Sequence, residues 1–227
     1  MARFKVISVD MFQTLVDVNS NHRSFWREVL REEYTAAKAD EYTASWAEVF
    51  STYVNSVYQR ENGFVSLKTI CEDCFDEVFQ RLDISFDPVR AAQIQFDLHK
   101  IAPAYEDTEC FLEAAGQNYP VCLVSDADEE MILAQLERFQ FDRVFISERL
   151  ESYKNDPDSR LFQAVLDRYQ TNPETIIHIG DSYSDVFGAN LVGITSCWLN
   201  RNGTPWEHDT KPDFIVSSLA EAVDLIR

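Results

Sequence analysis

The chain opens on a compact apolar run, Phe4-Lys5-Val6-Ile7-Ser8-Val9, that stops at Asp10. So short a run, closed by a charged residue, predicts a buried strand. From Asn21 to Leu98 the rhythm changes. Phe25, Val29 and Tyr34, then Trp46, Val49, Phe50, Tyr53 and Val57, recur at helical spacing among charged residues. Asn62-Gly63 and Phe86-Asp87-Pro88 punctuate this stretch. It holds no strong strand run, so it predicts an all-helical insert. Beyond Pro103 helices and short apolar runs alternate. The pattern predicts helices over 106–117, 128–139, 158–169, 184–192 and 219–226, and strands over 119–124, 143–146, 175–179, 195–199 and 214–216. Asp156-Pro157-Asp158 is expected to cap the third of those helices. Alternation of this kind implies an α/β fold, a mostly parallel sheet flanked by helices, with ligands bound outside the carboxyl ends of the strands.

Polar residues gather where strands end. The first strand runs into Asp10-Met11-Phe12-Gln13-Thr14, the second predicted strand into Ser125-Asp126, and the fourth into Gly180-Asp181-Ser182-Tyr183-Ser184-Asp185. Lys154 lies in a loop ahead of a helix, within reach of the same edge. Such a set suits phosphoryl transfer. A carboxylate attacks phosphorus, a divalent cation on oxygen ligands offsets the charge, Ser125 and helix-start amides donate to phosphoryl oxygens, and Lys154 meets the charge of the transition state. Taken singly each residue also has a plain structural reading, such as a helix cap for Asp126 or Ser184. Their recurrence at successive strand ends is what singles them out.

Composition narrows the field. Of 227 residues 45% are hydrophobic and 13% aromatic, enough for a packed core. With 20 basic against 39 acidic residues the net charge is −19, which disfavours nucleic acid and anionic membrane as partners. No apolar stretch approaches a membrane span, and nothing at the start resembles a signal peptide. Five cysteines, with Cys71 and Cys74 in a lone CxxC on a helix-like stretch, read as packed thiols in a reducing, cytoplasmic setting. Cys110, Cys122 and Cys197 are expected to be buried. His178 reads as a satisfied core histidine. Trp26, Trp46, Phe50 and Tyr53 read as core of the insert, and Lys38 and Lys68 as solvated helix residues. Asn200 to Gly203 reads as a turn that leaves Arg201 able to face the site edge.

Four segments together resemble the haloacid dehalogenase-like hydrolase superfamily: Val6 to Leu15, Val121 to Ser125, Tyr153 to Pro157, and Gly180 to Asp185, in family order and across the whole chain. The resemblance implies a Rossmann-like core over residues 1–17 and 102–227, and a mobile helical cap domain over 18–101 that contacts substrate. It makes Asp10 the nucleophile, Thr14 a support of the nucleophile loop, and Ser125, Asp126 and Lys154 the substrate contacts. Asp10, the main-chain carbonyl of Phe12, Asp181 and Asp185 become the Mg²⁺ ligands, with Asp185 alternatively orienting Lys154. The implied substrate is a small phosphorylated molecule. One departure matters: phosphatases of the family carry a general acid–base Asp where Phe12 stands, and such a group contributes ~10²–10⁴ in rate. An aromatic residue there resembles metal-independent 2-haloacid dehalogenases, whose halide leaves without a proton but whose fourth motif is less acidic. A catalytically weak member that only binds a ligand or partner is a third reading.

Overall fold

A computed structural model describes residues 3–57 and 63–227. Asn62 and its turn signal lie outside them. Six strands form one sheet: β1 (Val6–Val9), β2 (Val121–Ser125), β3 (Arg143–Ile146), β4 (Ile176–Gly180), β5 (Thr195–Leu199) and β6 (Phe214–Val216). Their order is β3-β2-β1-β4-β5-β6, and every pairing is parallel. β1, β2, β4 and β5 are buried at every position. A parallel sheet covered on both faces needs such near-continuous apolar strands. One part of the core packs Val6, Cys122, Val124 and Ile176 from the strands against Leu161, Phe162 and Val165 of a helix.

The helices are α1 (His22–Leu30), α2 (Ala36–Val57), α3 (Leu67–Leu82), α4 (Pro88–Lys100), α5 (Thr108–Gly116), α6 (Glu129–Arg138), α7 (Ser147–Leu150), α8 (Arg160–Tyr169), α9 (Tyr183–Leu191) and α10 (Leu219–Ile226). The chain divides into two compact units: residues 1–17, 104–126 and 138–227, and residues 18–103 with 127–137. The first carries the whole sheet. The second carries α1 to α4 and most of α6, a helix that the sequence pattern assigns to the sheet-bearing part.

In the second unit Phe25, Trp46, Phe75 and Phe79 stack, and Trp26 meets Phe25 edge-on at a centroid distance of 5.0 Å. Asp128, buried, accepts from the first amides of α3, Leu67 N at 3.0 Å and Lys68 N at 2.9 Å. Lys68 is not a freely solvated residue. Its ammonium bridges Glu130 (2.7 Å) and Gln93 (2.8 Å), which ties α3, α4 and α6 together. Lys38 pairs with Glu33 at 3.3 Å. Of the cysteines, Cys110 is exposed, against expectation, and the other four are buried free thiols. Burial pushes the Cys74 thiol up to about 12 and raises that of Cys71 further, so neither forms a thiolate near neutrality. Among the described residues no helix is long and apolar enough to cross a membrane.

Candidate active site

Because β2, β1 and β4 are neighbours and parallel, their carboxyl ends share one edge of the sheet. Asp10 follows β1, Ser125 closes β2, and Asp181 follows β4. Ser125 Oγ donates to Asp10 Oδ1 at 2.8 Å, and Lys154 Nζ donates to the same oxygen at 3.0 Å. Asp10, Ser125 and Lys154 are all buried. The sequence-predicted nucleophile, hydroxyl and lysine therefore meet in one hydrogen-bonded cluster.

Lys154 also donates to Asp185 Oδ1 at 2.5 Å. That carboxylate is fully subscribed. Oδ1 also accepts from His178 Nε2 at 2.9 Å, while Oδ2 accepts from the Ser182 amide at 2.9 Å and the Ser182 hydroxyl at 2.5 Å. The Ser182 amide bond is one half of a capping box that starts α9, the other half being the Asp185 amide donating to the Ser182 hydroxyl. Four bonds match the four lone-pair positions of an ionised carboxylate. Two glycines make this packing possible. A Cβ on Gly180 would stand 2.2 Å from Asp185 Cγ, and one on Gly188 would stand 2.0 Å from the Lys154 carbonyl oxygen.

Charge in the cluster is unevenly shared. Burial alone would discharge Lys154, but Asp10, Asp185 and Asp126 outweigh it and hold the ammonium well above its ordinary range. Burial would likewise raise Asp185, but Lys154 and the His178 hydrogen bond hold it below the usual carboxylate range. Asp10 is raised, because burial and the nearby Asp185 outweigh Lys154 and Ser125. Asp181 is raised well above the usual range by burial and by the charges of Asp185 and Asp10. Asp126, half-buried, accepts from the Lys154 amide at 2.9 Å, and burial pushes its carboxyl up to about 7. Its oxygen thus holds the main chain of the lysine loop.

The nucleophile loop is fixed from the other side. Thr14 Oγ1 donates to Asp181 Oδ1 at 3.3 Å. Arg201 donates to the Thr14 carbonyl at 2.9 Å, pairs with both oxygens of Asp107 at 3.0 and 3.1 Å, and lies over the Tyr105 ring at 3.9 Å. Tyr105 donates to the side chain of Gln13 at 2.8 Å. Gln13 sits at φ +64°, a conformation that favours glycine. The Asp107–Arg201 clamp carries no motif of its own. Its one sequence signal is the turn at Asn200 to Gly203.

Asp10, Asp181 and Asp185 each offer an oxygen within 4.8 Å of the others. Three carboxylates against one ammonium leave a deficit of positive charge, and Mg²⁺ bound by oxygen ligands fits it. Asp185 would have to surrender a bond to join such a site. Asp10 and Asp181 need not, because the bonds from Ser125, Lys154 and Thr14 fall on their Oδ1 atoms.

Comparison with known proteins identifies the family. The haloacid dehalogenase-like hydrolase family matches residues 4–193. An (S)-2-haloacid dehalogenase of Pseudomonas sp. (strain YL) is 24% identical over 99% of this chain and 95% of its own. The (S)-2-haloacid dehalogenase 4A of Burkholderia cepacia is 30% identical, over 56% of this chain and 59% of that protein. A glyceraldehyde 3-phosphate phosphatase of Pyrococcus furiosus is 25% identical over 67% of this chain and 68% of its own. Among solved structures, the hydrolase YfnB from Bacillus subtilis, bound to magnesium, superposes with a TM-score of 0.84 at 16% identity, covering 99% of both chains. With the sheet order, the strand-end carboxylates and a match spanning most of its length, the chain belongs to the haloacid dehalogenase-like hydrolases.

Proposed function

We propose that this hydrolase cleaves the phosphate ester of a small metabolite through a covalent phospho-Asp10. One observation carries the reading: Asp181 joins Asp10 and Asp185 around a single lysine. A third carboxylate in that cluster is costly unless a cation balances it. Asp10, Asp181 and the Phe12 carbonyl would hold Mg²⁺, which when bound offsets the repulsion between the nucleophile and an anionic phosphoryl group. Asp185 stays with Lys154.

The chain's own groups then divide the work. An Asp10 oxygen attacks phosphorus as the bond from phosphorus to the ester oxygen breaks. Ser125 and Lys154, which donate to Asp10, would donate to the phosphoryl oxygens. Water then hydrolyses the acyl phosphate, releasing phosphate and regenerating the Asp10 carboxylate. Phe12 supplies no proton to the departing oxygen, so esters with stable, weakly basic leaving groups are favoured.

A second reading is favoured by Phe12 together with the near full-length match to a haloacid dehalogenase. There Asp10 displaces halide from C2 of a 2-haloacid, and water cleaves the resulting ester. Asp181 would then carry a proton in place of a cation, in keeping with its raised pKa.

A substrate screen with and without Mg²⁺ separates the two. The first reading expects phosphate release that a chelator abolishes and that Asp10→Asn and Asp181→Asn each reduce by ~10²-fold or more. Halide release from a 2-haloacid that persists in chelator would replace it with the second.

A further inference from the structure

A line of buried polar groups runs away from Asp10 into the sheet, and the chemistry above does not use its far end. Ser8 and His178 are register partners in β1 and β4. The hydroxyl of Ser8 lies 2.8 Å from His178 Nδ1, and His178 Nε2 lies 2.9 Å from Asp185 Oδ1. Both residues are about 1% exposed or less. A carboxylate only accepts, so Nε2 carries the proton. In the neutral ring Nδ1 then accepts from the Ser8 hydroxyl, which fixes the tautomer. Phe162 packs against the imidazole in a T-shaped contact, with centroids 4.8 Å apart at 78°. Strand geometry places the set. Ser8 and Asp10 are two residues apart and share a face, as do His178 and Gly180. Gly180 has no Cβ, and the Asp185 carboxylate fills the space that a Cβ would take.

We propose that His178, set by Ser8, is a positioning residue for the nucleophile: it holds Asp185 so that the lysine ammonium is aimed at Asp10. The inference rests on Asp10 being the nucleophile and applies equally to a phosphate ester or a 2-haloacid. Lys154 sits between two carboxylates, Asp10 at 3.0 Å and Asp185 at 2.5 Å. Asp185 is held on three sides: by Ser182 at one oxygen, and by Lys154 and His178 at the other. Without His178 the Oδ1 atom keeps the lysine as its one donor. The carboxylate is then free to turn about the Ser182 bonds and to draw the ammonium off Asp10.

The test compares His178→Leu, which keeps the volume and loses the donor, with His178→Gln, which returns an N–H near the position of Nε2. Ser8→Ala serves as the milder variant should the leucine protein not fold. Two readouts apply: kcat on whichever substrate class the wild type turns over, and a crystal structure of each variant. We expect His178→Leu to lower kcat about tenfold to a hundredfold, the size expected for one charge-assisted hydrogen bond, with Gln recovering most of it. Ser8→Ala should fall in the same direction by less. In the crystals Lys154 Nζ should leave Asp10 in the leucine variant and return in the glutamine variant. A folded leucine variant with Lys154 still about 3.0 Å from Asp10 overturns the proposal whatever the activity. So does a folded glutamine variant that restores nothing, because packing against Phe162 would then be the role. The structural arm decides the matter even if neither substrate class is turned over, so failure of the functional reading is seen separately.

Discussion

At the scale of single residues the site is a balance of buried charge, and Asp126 exposes it most simply. Its carboxyl is pushed up to about 7 by burial, against the pull of Lys154. An acid with a raised folded-state pKa binds its proton more tightly folded than unfolded. Its contribution is therefore intact at low pH, and stability is lost as pH rises from the ordinary carboxylate value through about 7. Asp126→Asn keeps an oxygen for the Lys154 amide and removes the titration. We expect the variant to gain thermal stability relative to wild type as pH climbs from about 5 to about 8. Melting both proteins across that range checks it, and a difference that stays flat would show that Asp126 does not titrate there. Asp185 has the opposite sign. Held below the usual range, it stabilises above the ordinary carboxylate pKa and is lost only in strong acid. Comparing two proteins that share it removes it from the measurement. Asp10 and Ser125 are legible in the sequence because they sit where strands stop, and Lys154 because it lies in a loop ahead of a helix. His178 reads from the sequence as a satisfied core histidine, and both its ring nitrogens have partners. What it satisfies, a carboxylate brought from another element, has no local signature.

At the scale of elements, helix α9 is the part on which the site leans. It begins in the Ser182–Asp185 capping box and passes so close to the lysine loop that only glycine fits at 188. Ser159 Oγ, in the segment that follows the lysine, also donates to the Gly188 carbonyl at 3.0 Å, so a second bond fastens the approach. Gly188→Ala drives a methyl into the Lys154 carbonyl and the Phe162 ring, both buried and unable to yield. Such overpacking costs roughly 1–3 kcal/mol or more, so we expect a melting temperature lower by several degrees and a lower kcat, because Lys154 shifts. Retained stability and activity would mean that α9 slides freely. A milder control lies in the second unit. Asp87 caps α4 by accepting from the Val89 amide at 3.0 Å, with Pro88 in the first turn. Asp87→Ala should cost about 1 kcal/mol in denaturant unfolding. The sequence placed β3, β5, β6 and α10 to the residue, since apolar runs and caps bound them sharply. It missed α7, whose four residues carry no period. It put the start of α8 two residues early, because Asp158 does not cap that helix: Ser159 stands at the N-cap with φ +48° and Asp158 pairs with Arg160 instead. α9 starts one residue before the predicted helix because Ser182, not Ser184, caps it. α6 groups with the helical unit through Asp128 and Glu130, and tertiary ties of that kind leave no periodic trace.

At the scale of the whole molecule the dominant quantity is the net charge of −19. Both substrate classes are anions, so each approaches against a long-range field before it meets Lys154 at short range. The two effects respond differently to salt. The Debye length is about 30 Å at 0.01 M and about 8 Å at 0.15 M. Added salt therefore screens the field of the surface, while Lys154, buried and within 3.0 Å of Asp10, is screened little. For most cationic sites salt slows the capture of anions. Here we expect the reverse: kcat/KM for an anionic substrate should rise several-fold between about 0.01 and 0.15 M ionic strength at fixed free Mg²⁺. kcat should change little, because bound substrate has already crossed the field, and a dianionic substrate should gain more than a monoanionic analogue. Initial rates at low substrate concentration give the measurement. A falling salt dependence would show that local positive charge at the mouth of the site outweighs the acidic surface. The 20 basic residues would then be grouped around the approach to Asp10 rather than dispersed.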